Sequence, residues 1–515
     1  MEIDLNKQTL TINKLVGTKT KTIKLEGDII VPDVKPDIIN TMDSVGNICL
    51  YKKEVLDGRI KIDGGINLYL IYLADTQEDS IRGLNTTLDF TEIIDMEGCH
   101  PDMDLISTME IRNIECKILN GRKIKVSVEV EIQLQIYSNE NVEVVTGVNN
   151  LPNVQTLQKT MNINTLVGTG STKISAKDVI TYEETDDLAE ILKVDISIGN
   201  QETKTSYQKV LLKADAKTKI MYLTEEGTIK VISSNIPIMG FVDIANVSEE
   251  NIIHTNYDIK NILIKPNGNE EHSILVEVEV EATCRVYGNI TTEVIQDIYS
   301  THENLGFTTK AIETENHHQQ QIKTCHLNEK ISIPEIANHK ICDVEIKPTI
   351  QNAKVLNQKM IYEGEVVFNF ISSSNMEVMA IHQYQIPFNF EIEGEEIHPD
   401  QKVVTQIECV GDDFVILSDG EIECKVDLMF CLEVSDAIKL DLIDEISVEE
   451  DRNLPDYSMI IYIVKQEDNL WEIAKKYKTT MQSIMEINGL ENEKINIGDK
   501  LYIPRCKNNT IKTIA

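Results

Sequence analysis

Several things are scarce in this chain. Of its 515 residues only one is tryptophan and 12 are proline, and 49 basic residues face 85 acidic ones, a formal charge of −36. A field of that sign repels phosphate, which argues against nucleic acid and anionic membrane as direct partners. No apolar run approaches the ~18 residues that a membrane-spanning helix needs, so no direct membrane insertion is expected. Residues 1–7 have neither the basic nor the apolar part of a signal peptide, so a chain that stays in a reducing cytoplasm is expected. The ten cysteines include no Cys-x-x-Cys pair and form no regular framework. Several sit in apolar strand patterns, as small buried hydrophobes do. The 41 % hydrophobic content is enough for packed cores, and the length suits three or four domains.

What is present is an internal repeat. Ile12-Asn-Lys-Leu-Val-Gly-Thr-Lys returns as Ile163-Asn-Thr-Leu-Val-Gly-Thr-Gly, 151 residues on, and Tyr72 and Tyr222 end matching strands at an offset of 150. Val126, Val128, Val130, Ile132, Leu134 and Ile136 alternate with polar residues before Tyr137. Val276, Val278, Val280, Ala282, Cys284 and Val286 do the same before Tyr287, again 150 residues on. A third, divergent copy puts Ile422, Cys424, Val426, Leu428, Phe430, Leu432 and Val434 on one face. Asn120-Gly121, Asn267-Gly268 and Asp419-Gly420 precede the three strands, dipeptides expected to supply positive φ in hairpin turns. Period-2 alternation over ten or more residues means strands buried on one face. The fold class expected is mainly β, with one antiparallel two-layer sandwich per repeat.

The expected boundaries are repeat 1 at 1–155, repeat 2 at 156–305, a linker at 306–322, repeat 3 at 323–445 and a second linker at 446–459. Repeats of this length are expected to be separate globular beads rather than solenoid units. The second linker, with Pro455 among charges, should leave the C-terminal segment mobile.

Residues 460–505 have a different grammar, and 506–515 form a tail. Leu470, Ile473, Ala474 and Tyr477 lie at i, i+3, i+4, i+7, one stripe of a helix. Asn469 with Glu472, and Thr479 with Gln482, have capping-box spacing. Asn488-Gly489 reads as a left-handed helix end. Short β-prone runs at 461–464 and 500–503 flank the helices, so a small α+β module of order βααβ is expected. The segment 462–505 holds seven basic and seven acidic residues, which leaves about −38 of the charge on the first 461. Trp471 lies one position off the apolar stripe. It is expected either at the module surface, where an aromatic can anchor an interface, or folded over the module edge as packing.

Tyr462-x-Val464, Leu470-x-x-Ile-Ala-x-x-Tyr477, Asn488-Gly489-Leu490 and Ile495-x-x-Gly-Asp-x-Leu-x-Ile-Pro504 together resemble LysM modules, non-catalytic binders usually of N-acetylglucosamine glycans. The resemblance implies a groove between Glu467, Asp468, Asn469 and Leu470 on one side and the loop Asn488 to Asn496, with Gly489, Leu490 and Ile495, on the other. Where the family usually has Gly-Asp-Thr or Gly-Asp-Ser, this chain has Glu467-Asp468-Asn469, which implies a groove turned toward protein. Leu-Val-Gly openings, the run Ile29-Ile30-Val31-Pro32-Asp33-Val34-Lys35-Pro36-Asp37 and a C-terminal LysM module resemble SPOCS-domain coat proteins of spore-forming bacteria. The implied role is a scaffold made in the mother-cell cytoplasm that fixes the spore coat to the forespore surface. Its implied partners are a coat-basement morphogenetic ATPase, docked by the LysM module, and other coat proteins. A binder of peptidoglycan or cortex glycan is the alternative.

Signs of catalysis are poor. Gly168-Thr-Gly-Ser-Thr-Lys173 lacks P-loop spacing. His317, His318, Cys325, His326, His339 and Cys342 fit no compact zinc template. No enzyme activity, cofactor or metal is expected.

Overall fold

The computed structural model describes residues 3–504, apart from 77–79, 152, 184–186, 269–271, 319, 338, 375–378, 394–396, 418–419 and 450–457. Each repeat is two antiparallel sheets face to face. In repeat 1, β1 (Leu5–Ile30) and β5 (Asp104–Asn120) flank β6 (Lys123–Val148), while β2 (Ile38–Leu56) and β4 (Ile81–Asp95) flank β3 (Arg59–Ala74). Repeat 2 repeats the plan, with β7 (Val154–Thr181) and β11 (Ile252–Pro266) around β12 (Ser273–Ser300). Its second sheet sets β8 (Leu188–Ser206) and β10 (Ile229–Asp243) around β9 (Lys209–Thr224).

The alternating runs seen in the sequence are the central strands. Ile124, Val126, Val128, Val130, Ile132 and Ile136 of β6 are all fully buried against Ile60, Ile62, Ile66, Leu68 and Leu70 of β3. Cys284 and Cys424 occupy such positions in the other copies, and burial pushes their thiols up to about 12.

In repeat 3 the first strand is split. β13 (Asn304–His317) and β14 (Gln321–Ser332) both pair with β19 (Glu421–Glu449), which also pairs with β18 (Lys402–Ile416). The second sheet is β15 (Lys340–Leu356), β16 (Lys359–Ser373) and β17 (Ala380–Glu393). Of the stretch 306–322, expected as a linker, residues 306–317 and 321–322 are therefore strand. Thr308, Thr309, Lys310 and Glu313 face solvent at a sheet edge, while Ile312, Thr314 and His317 are buried.

The Leu-Val-Gly opening is a β-bulge. Leu15 pairs with Tyr137 and Gly17 with Ile136, so Val16 is the extra residue, and Val167 takes that place between Leu166 and Gly168. Repeat 3 breaks at the matched position, with His317 opposite Ser435 and Gln321 opposite Leu432.

Two turn assignments need correction. Neither Asn120-Gly121 nor Asn267-Gly268 has positive φ; the Asn120 side chain instead accepts from the Arg122 N–H at 2.9 Å. The left-handed residues that recur in all three copies lie in the other sheet, at Gly58, Gln208 and Gln358, with φ of 71°, 57° and 63°. Asp419 lies outside the described residues, and Gly420 has φ 80°.

The repeats are not separate beads. Matched positions Leu10, Met161 and Ile312, with Val144, Val294 and Leu442, meet in one apolar cluster. Ile71, Met221 and Ile371, at offsets of 150, meet in another. Equivalent residues from three copies converge twice, so the copies are arranged about a common axis. Polar contacts lock the seams. Buried Lys193 of repeat 2 reaches Asp43 of repeat 1 at 2.8 Å and pairs with Glu345 of repeat 3. Lys53 meets Asp258 at 2.6 Å, and the Asn47 side chain donates to Val194 O at 2.8 Å and accepts from Ile196 N at 2.9 Å. Losing one partner of a buried pair costs ~3–5 kcal/mol, because the other charge is left without compensation.

Candidate partner-binding site

The C-terminal module is β20 (Met459–Ile463), α1 (Leu470–Lys476), α2 (Met481–Asn488) and β21 (Lys500–Pro504), in the order read from the sequence. Leu470, Ile473, Ala474, Ile484, Leu501 and Ile503 form its core. The Asn469 side chain caps α1 by accepting from Glu472 N at 2.8 Å. Thr480, not Thr479, caps α2, accepting from Ser483 N at 3.0 Å. Gly489 ends α2 at φ 61°.

The expected groove residues are mostly committed to building the module. Asp468 accepts from Lys465 N at 2.7 Å and from the Tyr462 hydroxyl at 2.8 Å, which hold its carboxyl below the usual range. Asn488 acts as an extra rung on β21, donating to Tyr502 O and accepting from Tyr502 N, both at 2.7 Å. Leu490 and Ile495 pack on the core, and Asn496 N donates to Asp499 at 2.8 Å. Glu467 is exposed with φ 71°, a conformation that favours glycine. Gly489 is exposed.

Trp471 is not on an open surface. It is 7 % exposed, and its cover is strand β12 of repeat 2. Its indole N–H donates to Asp297 at 2.7 Å, and Lys475 reaches both oxygens of the same carboxylate at 2.6 and 2.7 Å. The Tyr299 ring stands edge-on to the indole at 4.9 Å, and its hydroxyl donates to Thr479 O at 2.7 Å. Lys478 reaches Glu303 O at 3.2 Å. The positions that match Asp297 and Tyr299 hold Gly147 and Asn149 in repeat 1, Glu445 and Ser447 in repeat 3. Only repeat 2 offers this carboxylate and ring together. A module expected to swing on its linker is thus docked on the body, while linker residues 450–457 lie outside the described residues.

The sequence reading missed the open face of the module. Met459, Ile461 and Ile463 alternate outward on β20, with Ile461 64 % exposed and paired with Tyr502 of β21, itself 47 % exposed. Contiguous exposed apolar surface marks interaction sites. The signal was there: 459–464 is apolar throughout, which suits a strand covered on both faces.

The signature at 29–37 proves to be a corner between the two sheets of repeat 1. Val31 N donates to Arg122 O at 3.0 Å, and the Arg122 guanidinium gathers Val31 O, Lys35 O and Asp37. The same corner bond runs from Tyr182 N to His272 O and from Ile333 N to Gly420 O, both at 2.9 Å. Of the histidines and cysteines between 317 and 342, His317 stacks on Tyr287 at 4.2 Å and His326 pairs with Asp427 at 2.6 Å, far apart in the fold. Among the described residues no group of three or more His, Cys, Asp or Glu could hold a metal ion. No described helix is long and apolar enough to cross a membrane.

Comparison with known families matches the model described as "SipL, SPOCS domain" at residues 37–119, 187–267 and 339–412, and the LysM domain at 462–504. Each SPOCS match takes in the second sheet of a repeat and a following strand of the first. No curated protein and no solved structure matches.

Proposed function

We propose that this chain, a spore-coat-related protein of three SPOCS domains and one LysM domain, is a non-enzymatic assembly scaffold whose LysM module docks on a partner protein. SPOCS and LysM are non-catalytic families, consistent with a binding role. The observation that carries the reading is the exposed Met459, Ile461, Ile463 and Tyr502 face, set against a groove whose polar groups mostly bond within the module. A desolvated apolar face suits protein, whereas a glycan site needs free hydrogen-bonding groups. The partner implied by the SPOCS resemblance is the coat-basement ATPase at the forespore surface, reached from the mother-cell cytoplasm. The LysM match itself favours a second reading, attachment to peptidoglycan.

The test uses the full chain with Ile461→Arg and Ile463→Arg, assayed on the immobilised ATPase and on insoluble peptidoglycan. Loss of ATPase binding, with the melt unchanged, is expected. Retained ATPase binding, or wild-type capture by peptidoglycan alone, would overturn the proposal.

A further inference from the structure

The far ends of the second sheets, remote from the common axis, form three corners that differ in surface chemistry. Each holds a tight turn at matched positions, Asp57-Gly58, Tyr207-Gln208 and Asn357-Gln358, followed by a basic residue, Arg59, Lys209 or Lys359. Two residues on, the outward cross-strand pair is Lys61 with Ile93 in repeat 1, Leu211 with Phe241 in repeat 2 and Ile361 with Glu391 in repeat 3. The next outward pair is Asp63 with Thr91, Lys213 with Met239 and Glu363 with Asn389. The fold imposes none of these choices, since the same backbone carries all three sets.

The repeat 2 corner is the apolar one. Tyr207 is 88 % exposed, Met239 66 % and Phe241 52 %, and Leu211 lies beside them. Lys209 sits 4.1 Å from the centre of the Phe241 ring. In a chain of net charge −36, residues 203–213 hold three lysines and no carboxylate, while Lys219, further along β9, pairs with Asp343 of repeat 3. Among the described residues, the carboxylates that pair with Lys209 and Lys213 are solvent-exposed, Asp243 at 3.4 Å and Glu202 at 3.5 Å. The repeat 3 corner is its complement, with Glu391 and Glu393 around Lys359, Glu363 paired with Lys354, and Leu356 52 % exposed. Both corners are open to solvent, so they do not meet within one chain.

We propose that the repeat 2 corner binds the repeat 3 corner of a second copy of this chain. Charge complementarity selects that occupant: lysines and aromatic surface on one side, glutamates and Leu356 on the other. The contact is head-to-tail, so each added copy leaves one corner of each kind open and the assembly can extend. It goes beyond the LysM reading and needs no other protein.

Sedimentation velocity of the full chain over a wide concentration range tests it. Weight-average sedimentation should rise with concentration and fall back with added salt. Met239→Glu with Phe241→Glu should weaken association by at least ~tenfold without changing the melt, since both side chains are exposed. Lys213→Glu alone and Glu391→Lys alone should each weaken it, and the two together in one chain should restore it. A monomer at every concentration would overturn the proposal, as would association that these substitutions leave untouched or that the double variant does not recover.

Discussion

Replacing Asp297 by alanine should release the LysM module from repeat 2. The carboxylate is 13 % exposed and takes three bonds from the module, one from the Trp471 indole and two from Lys475. A hydrogen bond to a charged group contributes about 1.5–3 kcal/mol. The ion pair to Lys475, which is about a third exposed, adds at most ~1 kcal/mol after screening. The loss is therefore ~2–4 kcal/mol, a ~30- to ~1000-fold shift in the docking equilibrium. As the only tryptophan in the chain, Trp471 reports the change by itself. Wild-type emission should be blue-shifted, because repeat 2 covers the indole, and Asp297→Ala should move it to the red. Asp297→Lys combined with Lys475→Asp should recover part of the shift. Red emission from the wild type, or no change in Asp297→Ala, would refute the docking argument.

Glu467→Gly should stabilise the module by ~1 kcal/mol, since only glycine takes φ 71° without penalty; thermal melts would show it. Acidification should destabilise the body through His317, which burial and then neighbouring His254 depress from 6.5 to about 3. A histidine held neutral in the fold supports it fully above pH 6.5 and loses that support as pH falls from 6.5 toward 3, by up to about 1.4 kcal/mol per pH unit. Burial lowers His254 as well, so melting temperature against pH should steepen below 6.5, and His317→Phe should flatten the curve. A fragment ending near residue 155 should be aggregation-prone, because Leu10, Ile12, Val142 and Val144 lose the cover of the other repeats; light scattering would decide.

The central strands were legible because a two-layer sandwich buries every second residue, and seven alternating positions from Ile422 to Val434 can hardly mean anything else. The α1 cap and the Gly489 helix end were legible because they are local. Strand β13 was not, since an edge strand with one covered face leaves polar residues in plain view and His317 looks like linker. Its continuation carried a usable signal: Ile331-Ser-Ile333-Pro334 echoes Ile29-Ile-Val31-Pro32, and both end at a corner bond. Trp471 lies one position off the module stripe, which by itself suggests a surface. Its burial depends on Asp297 and Tyr299, some 170 residues away, and no local pattern shows what covers a surface. The roles of Asp468 and Asn488 were hidden for a related reason. Polar residues in a loop look available until their partners, Lys465 N and the Tyr502 backbone, are known.

The central claim is that the outer face of β20 and β21 receives the partner, and hydrogen–deuterium exchange on the full chain tests it most directly. With the coat-basement ATPase bound, the amides of 459–463 and 500–504 should gain protection, while those of 488–496 stay unchanged. Protection confined to 467–470 and 488–496, above all if N-acetylglucosamine oligomers reproduce it, would contradict the account and make the module a glycan binder.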